Sequence, residues 1–430
     1  MRKQIINFAI IFVIFIIICI AACIKVANNP SHRKNYKIRS GRWRQVESST
    51  TIRKDDDTYA KLIGLGYLQG YLTAPESKNV VVYKKNATYE GINFLVSGHA
   101  PEAFLMNMDG KNLHKWHYHN ALDIWPNIPE GNRKGASYWR RGYLYKNGNV
   151  LAIYEGIGLI KIDKDSNLLW SFTSKRAPHH DLEVVEDGTI YILTREKKKI
   201  PRISNANVYD EFITLLDQNG KRIKEFSLID LIINSPYANL LDRRIVKEGG
   251  FYGHILHSNT IEVFDGRLEH KSTLFKRGNV MVSILMLDTI CIIDLDKEKL
   301  IWTSGSGMWQ KQHQPTLLEN GNILIFNNKH TANSSQVLEF DLFTQRIIWE
   351  YKGRAENKFH SKTCGSNQRL PNGNTLITET DNGRAFEVTK DNEIVWEYIN
   401  PYRAGDHNEL IASLLEVVRI NPAHYTFIGK

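Results

Sequence analysis

Short apolar stretches separated by polar turns recur along most of the chain. In each repeat an apolar strand is followed by a turn that usually contains Asp, and then by a strand that ends in Trp or another aromatic residue. Six copies lie at residues 105–116, 160–170, 213–226, 291–302, 338–349 and 386–396. The alternation of apolar and polar positions and the density of Gly and Asn turns predict β-strands rather than helices. A supersecondary unit that recurs at this period indicates a solenoid or a propeller.

A closed ring of blades suits such repeats, because closure leaves only short strand edges exposed. We therefore predict an all-β fold, a six-bladed β-propeller over residues 59–430, in which the terminal Trp of each repeat packs between blades. The longest gap between repeats contains SLIDLIINSPYANLLDRRIV (227–246), which predicts a helical insert.

A second pattern marks the first strand of several blades. In HHDLEVVEDGTIYILT (179–194) and WQKQHQPTLLENGNILIFNN (309–328), a histidine precedes a strand, a tight turn and a second strand. The turn begins seven residues after the histidine in both copies, counted from His180 or His313. A repeated hairpin with a repeated reactive residue predicts one shared site.

Other hairpins carry further polar residues at the same position. Counting back seven residues from their turns, or from the looser HSNTIEVFDG, gives Arg140, Gly365, His257 and Asn259. The innermost strand of a propeller blade meets the channel mouth, so we expect three histidines and an arginine to converge there. Neutral imidazole is a competent nucleophile, and neighbouring imidazole, amide and guanidinium groups can hold the oxygens of an anion.

At these residues the chain resembles the arylsulfate sulfotransferase family, bacterial enzymes that move a sulfuryl group from one phenol ester to another phenol without a nucleotide sulfate donor. The resemblance covers most of the chain after about residue 60. It is carried by LGYLQGY (65–71), HHDLEVVEDG (179–188), HSN (257–259), QHQPTLLENGN (312–322) and CGSNQRLPNGNTLITETDNGRAFEV (364–388).

The resemblance implies a role for each matching residue. The sulfurylated histidine of the family matches His313, the histidine and asparagine that hold the sulfuryl oxygens match His257 and Asn259, and the histidine of an earlier blade matches His180. The implied reaction is ping-pong: His313 attacks sulfur, and His180 or His257 delivers a proton to the leaving phenol. We expect an aryl sulfate donor and a phenol acceptor as the small-molecule partners, and no cofactor or metal.

One departure from the family pattern weakens the expectation of activity. An arginine that clamps the sulfate is expected in the strand after HSN, where MVSILMLD (281–288) has Leu285. We expect Arg140 or Arg277 to substitute. Two other functions stay open, namely a histidine-ligated metalloenzyme, since three imidazoles can hold zinc, and a non-catalytic ligand-binding propeller.

The N-terminal residues predict a membrane anchor. About 20 apolar residues cross a bilayer, and residues 5–26 form such a run. We predict a cytoplasmic tip (1–4), a single transmembrane anchor or uncleaved signal (5–26) and a polar stem (27–58), with the propeller on the periplasmic or extracellular side of the cytoplasmic membrane. The alternative is a lipoprotein, because Ile20-Ala21-Ala22-Cys23 resembles a bacterial lipoprotein box.

Composition adds two limits. A net charge of +10 and a pI near 9.2 suit a basic surface or a cleft that attracts anions, but no basic helix is interleaved with base-stacking aromatics, so we predict no nucleic-acid partner. Of four cysteines, Cys19 and Cys23 lie in the apolar run. Only Cys291 and Cys364 remain in the propeller, and the sequence leaves open whether they pair.

Overall fold

The computed structural model describes residues 69–242, 253–305, 307–405 and 407–428. The predicted cytoplasmic tip (1–4), anchor (5–26) and stem (27–58) lie outside these residues, as do residues 243–246 of the predicted insert. Among the residues that the structure describes, no helix has the length and apolar character needed to cross a membrane.

The described residues form a six-bladed β-propeller, as the sequence predicts. In chain order the strands are β1 (Asn79–Tyr83), β2 (Ile92–Ser97), β3 (Glu102–Met106), β4 (Asn112–His117), β5 (Arg141–Leu144), β6 (Val150–Tyr154), β7 (Gly158–Ile162), β8 (Leu168–Phe172), β9 (Ala177–Val184), β10 (Ile190–Ile200), β11 (Ser204–Leu216), β12 (Arg222–Ser227), β13 (Ser258–Val263), β14 (Val280–Ile284), β15 (Thr289–Asp294), β16 (Lys299–Ser304), β17 (His313–Leu317), β18 (Ile323–Thr331), β19 (Ser334–Asp341), β20 (Arg346–Tyr351), β21 (Ser366–Arg369), β22 (Thr375–Glu379), β23 (Arg384–Val388), β24 (Ile394–Ile399), β25 (Arg403–Ala404), β26 (Leu410–Ile411) and β27 (Leu414–Ile420).

Each blade is an antiparallel sheet that is numbered here from its place in the chain. Blade 1 has the order β27-β2-β3-β4, and blades 2 to 5 are β5–β8, β9–β12, β13–β16 and β17–β20. Blade 6 is β21–β24 with β1 as a fifth, outermost strand, while β25 and β26 form a separate two-stranded ribbon. The six sequence repeats are the third and fourth strands of the six blades.

Tryptophans at the ends of four repeats join their blades to the next one. The indole N–H of Trp116, in blade 1, donates to the carbonyl of Gly148 in blade 2 at 2.9 Å. Equivalent bonds from later blades run from Trp170 to Gln218 O, from Trp349 to Lys390 O and from Trp396 to Met108 O. These side chains therefore pack between blades and satisfy their one polar atom there.

The core is divided among the blade junctions. Six clusters of buried apolar side chains fill the spaces between successive blades, one cluster per junction. Neighbouring residues of β14 show why: Val280 and Val282 face blade 3, whereas Met281 faces blade 5. Because both faces of a middle strand are buried, its sequence is almost continuously apolar.

The helical insert follows blade 3. A short helix, α1 (Ala121–Ile124), lies earlier in the chain, and the insert contains α2 (Leu228–Ile233) and a 3₁₀ turn at Ala238–Asp242. Ser227 caps α2 by accepting the N–H of Asp230 at 3.1 Å, which satisfies one of the free donors of the first turn. Leu228, Ile229, Leu231 and Ile232 pack into the core between blades 3 and 4.

The first and last strands of the propeller complete the ring. The C-terminal strand β27 is the innermost strand of blade 1, and β1 extends blade 6 on its outer side. At this junction Arg419 of β27 pairs with Glu387 of β23 at 3.0 Å, and both side chains are fully buried. The Arg419 guanidinium also donates to Asn93 at 2.7 Å and lies 4.9 Å from the centre of the Trp396 ring. The closing strand is thus held by charge as well as by backbone pairing.

We expect the substitution Arg419→Met to lower the free energy of unfolding by about 3–5 kcal/mol, because it leaves the Glu387 carboxylate buried without its ion partner. Urea unfolding measures this loss. The double variant with Glu387→Gln should recover at least half of it, since the amide removes the charge and still accepts the N–H of Tyr89. Lys84→Met, which breaks the exposed pair with Glu393, serves as the control and should cost less than about 1 kcal/mol. If Arg419→Met and Lys84→Met lost equal amounts of stability, the buried ion pair of Arg419 would not be stabilising the closing strand.

Candidate active site

The starts of the inner strands surround a small cavity at one end of the channel. Its volume is about 10 Å³, which is room for roughly one water molecule. Residues from all six blades line it: Arg140, Arg141, His180, Asp181, Asn259, Thr260, His313, Gln314, Cys364, Gly365, Ser366 and Leu415. Four of the predicted site residues, Arg140, His180, Asn259 and His313, are therefore brought together. His257 is not among the lining residues, but its Nε2 lies 3.1 Å from His180 Nε2.

His313, the first residue of β17, has one ring nitrogen fully engaged. Its Nδ1 lies 2.8 Å from Asn328 Oδ1 and 3.1 Å from the carbonyl oxygen of Lys311. The Asn328 amide is oriented by its own NH₂ group, which donates to the carbonyls of Ser361 and Cys364. Both neighbours of Nδ1 are acceptors, so the neutral ring carries its proton on Nδ1. The lone pair is then on Nε2.

The charge state of His313 is set by burial. Removal of the ring from water lowers its pKa to about 4, and the Arg140 charge acts in the same direction. The hydrogen bonds to Asn328 and Lys311 oppose this shift without reversing it. At neutral pH His313 is therefore an uncharged imidazole with an available Nε2 lone pair, which is the form required of a nucleophile.

Three more histidines form a hydrogen-bonded chain beside His313. His179 Nδ1 lies 2.9 Å from His180 Nδ1, and His180 Nε2 lies 3.1 Å from His257 Nε2. Burial is the main reason that the pKa of each of the three rings lies well below its ordinary value, and nearby cations and histidines lower it further. The His254 ring lies 4.8 Å from the His257 ring at an interplanar angle of 46°, and burial lowers its pKa to about 3. The cluster is neutral at pH 7.

Carboxylates from the preceding blade hold the backbone at the start of three inner strands. Each accepts the N–H of a non-glycine residue whose φ is positive, a conformation that costs free energy and persists only when its surroundings impose it. The pairs are Glu155 with His180 (φ 54°, 3.1 Å), Glu211 with His257 (φ 53°, 3.0 Å) and Asp288 with Lys311 (φ 57°, 2.9 Å). Each catalytic candidate histidine is thus positioned by its neighbouring blade.

The two arginines that line the cavity differ in their partners. Arg141 Nε lies 2.7 Å from Asp181 and its Nη1 lies 2.6 Å from Glu416, so its charge is balanced by close ion pairs. Arg140 Nε lies 4.0 Å from a Glu155 oxygen, and its Nη2 lies 3.5 Å from Cys364 Sγ. Arg140 is also one of the charges that lower the pKa of His313 and His180. It is the better placed cation for an anion beside His313.

The geometry does not support Arg277 as a site residue. It lies in the connection between β13 and β14, at the end of blade 4 opposite to the start of β13. Its side chain is 68 % exposed and lies 3.8 Å from Glu186. Leu285, where the family pattern has an arginine, is buried in a 3₁₀ turn, and its N–H donates to His257 O at 3.2 Å.

Gly365 and the two cysteines are the remaining residues that the sequence singled out. Gly365 has φ 103°, and a Cβ there would lie 2.6 Å from the Phe326 ring, so blade 6 has no room for a side chain at this position. Cys364 and Cys291 are buried free thiols in different blades.

Asn259 supports the chain next to His313. Its Nδ2 donates to the carbonyl oxygen of Gln312 at 2.9 Å, and the side chain of Gln312 in turn donates to Ser283 Oγ and to the carbonyls of Ile284 and Thr289. The residue that precedes His313 is therefore tied to blade 4.

No cluster of three or more His, Cys, Asp or Glu side chains suited to a metal ion occurs within the described ranges.

Sequence reasoning missed His179, Glu155, Glu211 and Asn328. The only local signal for His179 is the His-His pair in the strand start. The two glutamates belong to blades that precede the histidines they hold, and Asn328 approaches His313 only because β17 and β18 pair as a hairpin. Nothing in the linear spacing points to these contacts.

Comparisons with known proteins bear on this arrangement. A family model described as Arylsulfotransferase (ASST) matches residues 143–401, which is more than half of the chain. A search of curated proteins found no significant match.

Several solved structures are similar in outline. A protein of unknown function from Bacteroides caccae has 14% identity and a TM-score of 0.47, with coverage of 72% of this chain and 94% of that one. A catalytically inactive virginiamycin B lyase from Staphylococcus aureus with quinupristin has 13% identity and a TM-score of 0.41, covering 80% and 99%. A streptogramin B lyase has 10% identity and a TM-score of 0.41, covering 82% and 96%. With TM-scores below 0.5, these likenesses carry no functional conclusion.

We expect Glu211→Ala to destabilise the protein by about 3 kcal/mol or more, because a lost buried acceptor costs about 1–3 kcal/mol for each donor left unpaired. Glu211 accepts the N–H groups of His257 and Ser258 and the Ser258 hydroxyl. Glu211→Gln keeps an oxygen at this position and should cost about 1 kcal/mol. Urea unfolding of both variants tests this. If the alanine variant were no less stable than the glutamine variant, the carboxylate would not be holding this strand start.

Proposed function

The chain belongs to the arylsulfotransferase family, and from this membership we propose that it transfers a sulfuryl group from a phenolic sulfate ester to a phenol through a sulfohistidine on His313, without a nucleotide sulfate donor. The observation that supports the proposal best is the pair of acceptors beside His313 Nδ1, which determines its tautomer. With Nδ1–H held by Asn328 and Lys311, Nε2 is the nitrogen that is free to attack sulfur.

The first half-reaction forms a bond between His313 Nε2 and sulfur and breaks the bond between sulfur and the phenol oxygen. The donor phenol leaves as its anion or takes the proton that His180 or His257 retains from the preceding transfer to an acceptor. The positive charge that develops on the sulfurylated ring is stabilised by the two acceptors of its Nδ1–H. Hydrogen bonds from a charged donor are stronger than neutral ones, so this pair of contacts strengthens as the reaction proceeds.

In the second half-reaction the acceptor phenol attacks the same sulfur. Its oxygen forms the new bond to sulfur, the bond between Nε2 and sulfur breaks, and the phenolic proton passes to a neutral imidazole, His180 or His257. A neutral imidazole is a suitable general base near neutral pH. Burial keeps both of these rings neutral. Because their Nε2 atoms face each other at 3.1 Å, only the ring whose Nε2 carries the lone pair can accept the proton there.

We assign the sulfate-binding cation to Arg140. Charge on the sulfuryl oxygens calls for a fixed positive group or hydrogen-bond donors near sulfur, and Leu285 supplies neither. Arg140 lines the same cavity as His313 and Asn259. The cavity has room for roughly one water molecule, so side chains shift when the larger sulfate group of the donor binds.

The place of the enzyme in the cell is also a proposal. We propose that residues 5–26 anchor it in the cytoplasmic membrane with the propeller on the periplasmic or extracellular side, on the strength of the apolar sequence alone. Fractionation of cells into membrane and soluble parts, with protease added to spheroplasts, tests this. Full protection of the propeller from protease in intact spheroplasts would contradict the orientation.

We expect the full-length chain to release nitrophenol from 4-nitrophenyl sulfate when a second phenol is present, and His313→Ala to lower the rate on the order of 10³-fold or more, since a nucleophile contributes at least that much. Mass spectrometry of rapidly quenched enzyme should find a sulfuryl group on the peptide that contains His313.

His330→Ala is the matched control, because His330 is an exposed histidine of β18 in the same blade. It should retain the full rate. If no release occurred across a broad panel of aryl sulfates, the chain would instead be a ligand-binding propeller. Release that survived in His313→Ala would reject His313 as the nucleophile.

We expect Arg140→Met to lower kcat/KM by about 10²- to 10³-fold, the usual effect of removing one group that stabilises transition-state charge. Arg140→Lys keeps the charge and should lose less. Arg277→Met, at the opposite end of blade 4, should stay within about twofold of the parent, as surface substitutions usually do. Steady-state kinetics with 4-nitrophenyl sulfate measures all three, and a larger loss in Arg277→Met than in Arg140→Met would reverse the assignment.

A further inference from the structure

We propose that His179 is a positioning residue that fixes the tautomer of His180 and so makes His180 Nε2 the base that accepts the proton of the acceptor phenol. The inference rests on the proposed function and extends it to a residue outside the cavity. His179 is completely buried and is not among the residues that line the cavity. Any effect it has on the reaction must pass through another side chain.

The geometry of His180 leaves it little choice of hydrogen-bond partner. One ring nitrogen, Nδ1, lies 2.9 Å from His179 Nδ1, and the other, Nε2, lies 3.1 Å from His257 Nε2. A neutral imidazole has one N–H and one lone pair. His180 must therefore donate through one nitrogen and accept through the other, and the tautomers of the three rings are coupled.

The coupling decides which histidine can act as a base. When His180 donates its Nδ1–H to the Nδ1 lone pair of His179, its Nε2 carries the lone pair. That lone pair faces His257 Nε2 and becomes available when a shift of either ring opens this contact to the acceptor phenol. In the opposite arrangement His179 donates to His180, and His180 Nε2 carries a proton and cannot accept another. His179 thus holds the position that a carboxylate or carbonyl oxygen often holds behind a catalytic histidine.

Glu155 is the other candidate partner for His180 Nδ1, and it is already engaged. Its Oε1 lies 3.7 Å from that nitrogen, which is beyond hydrogen-bond distance. The same oxygen lies 3.0 Å from Arg195 Nη2, and Oε2 accepts the His180 backbone N–H at 3.1 Å. The carboxylate therefore fixes the backbone of His180, while His179 fixes the ring.

The proton balance of the second half-reaction follows from these contacts. The acceptor oxygen binds sulfur as the bond to His313 Nε2 breaks, and the phenolic proton is transferred to His180 Nε2. His180 becomes an imidazolium whose Nδ1–H donates to His179. The proton then leaves to solvent or to the next departing phenolate, and His313 is again neutral.

Measuring the two half-reactions separately distinguishes a positioning role of His179 from a purely structural one. Release of 4-nitrophenolate from 4-nitrophenyl sulfate needs no proton, because this phenol departs as its anion. Transfer from sulfohistidine to a phenol acceptor needs a base. Stopped-flow mixing of the full-length enzyme with the donor measures the first step, and a second mixing with 1-naphthol measures the other.

We expect His179→Phe, which keeps an aromatic ring and removes the nitrogen, to slow transfer to 1-naphthol about 10- to 100-fold, in the range of a weakened general base. Nitrophenolate release should change less than about threefold. His179→Asn, whose amide can stand in for Nδ1, should stay within about threefold in both steps. His179→Gln, whose amide reaches the position of Nε2 instead, should behave like the phenylalanine variant and replaces it if that variant does not fold.

Nitrogen-15 spectra of the histidine rings supply a readout that does not need turnover. In the parent the His180 ring should show a proton on Nδ1, and in His179→Phe this preference should be lost. Equal slowing of both half-reactions in the phenylalanine and asparagine variants would overturn the inference and leave the proposed function standing. Absence of any nitrophenolate release from the parent enzyme would instead reject the proposed function.

Discussion

The candidate site depends on hydrogen bonds between a carboxylate of one blade and the backbone of the next. Glu155, Glu211 and Asp288 each accept an N–H from a residue in the left-handed conformation at the start of an inner strand. Such residues are strained, and buried acceptors compensate for the strain because their alternative is an unsatisfied polar group. The ring of blades must therefore be closed and in register before the histidines take their places.

Burial then decides the chemistry that these histidines can perform. An imidazole removed from water near other imidazoles and arginines stays neutral, and this holds for His313, His180 and His257. A neutral ring is a nucleophile or a base but a poor acid. Under the proposed function, such rings would attack sulfur and remove a proton from the acceptor, and donors whose phenol leaves readily as an anion would react best.

The symmetry of a propeller underlies the proposal that Arg140 replaces the expected cation. The starts of the inner strands are equivalent positions around one axis, so a side chain from any blade can reach the same small volume. Leu285 of blade 4 is buried and apolar and supplies no charge, whereas Arg140 of blade 2 lines the cavity. Blade 6 makes no such contribution, because Phe326 occupies the space beside Gly365.

The sequence by itself determined the six repeats, the strands within them and the positions at which reactive side chains meet. These features follow from local patterns: alternation, turn residues and a fixed spacing of seven residues from turn to strand start. It placed His180, His313, Asn259 and Arg140 at one cavity because equivalent strands of a ring start at one end. It also offered Arg277, which the structure places at the other end of blade 4, because the length of the connection before β14 is not part of the repeat.

Only the tertiary structure decided which groups surround those side chains. Asn328 fixes the tautomer of His313, Glu155 and Glu211 hold the backbone of His180 and His257, and His179 meets His180 through a bend at a positive φ. The physical reason is that these contacts depend on local backbone conformation, on the pairing of strands within a blade and on the closure and register of the ring, which make neighbours of residues that the repeat pattern does not relate. A repeat pattern predicts where each strand begins, but it does not predict which side chains of the neighbouring strands and blades contact that strand.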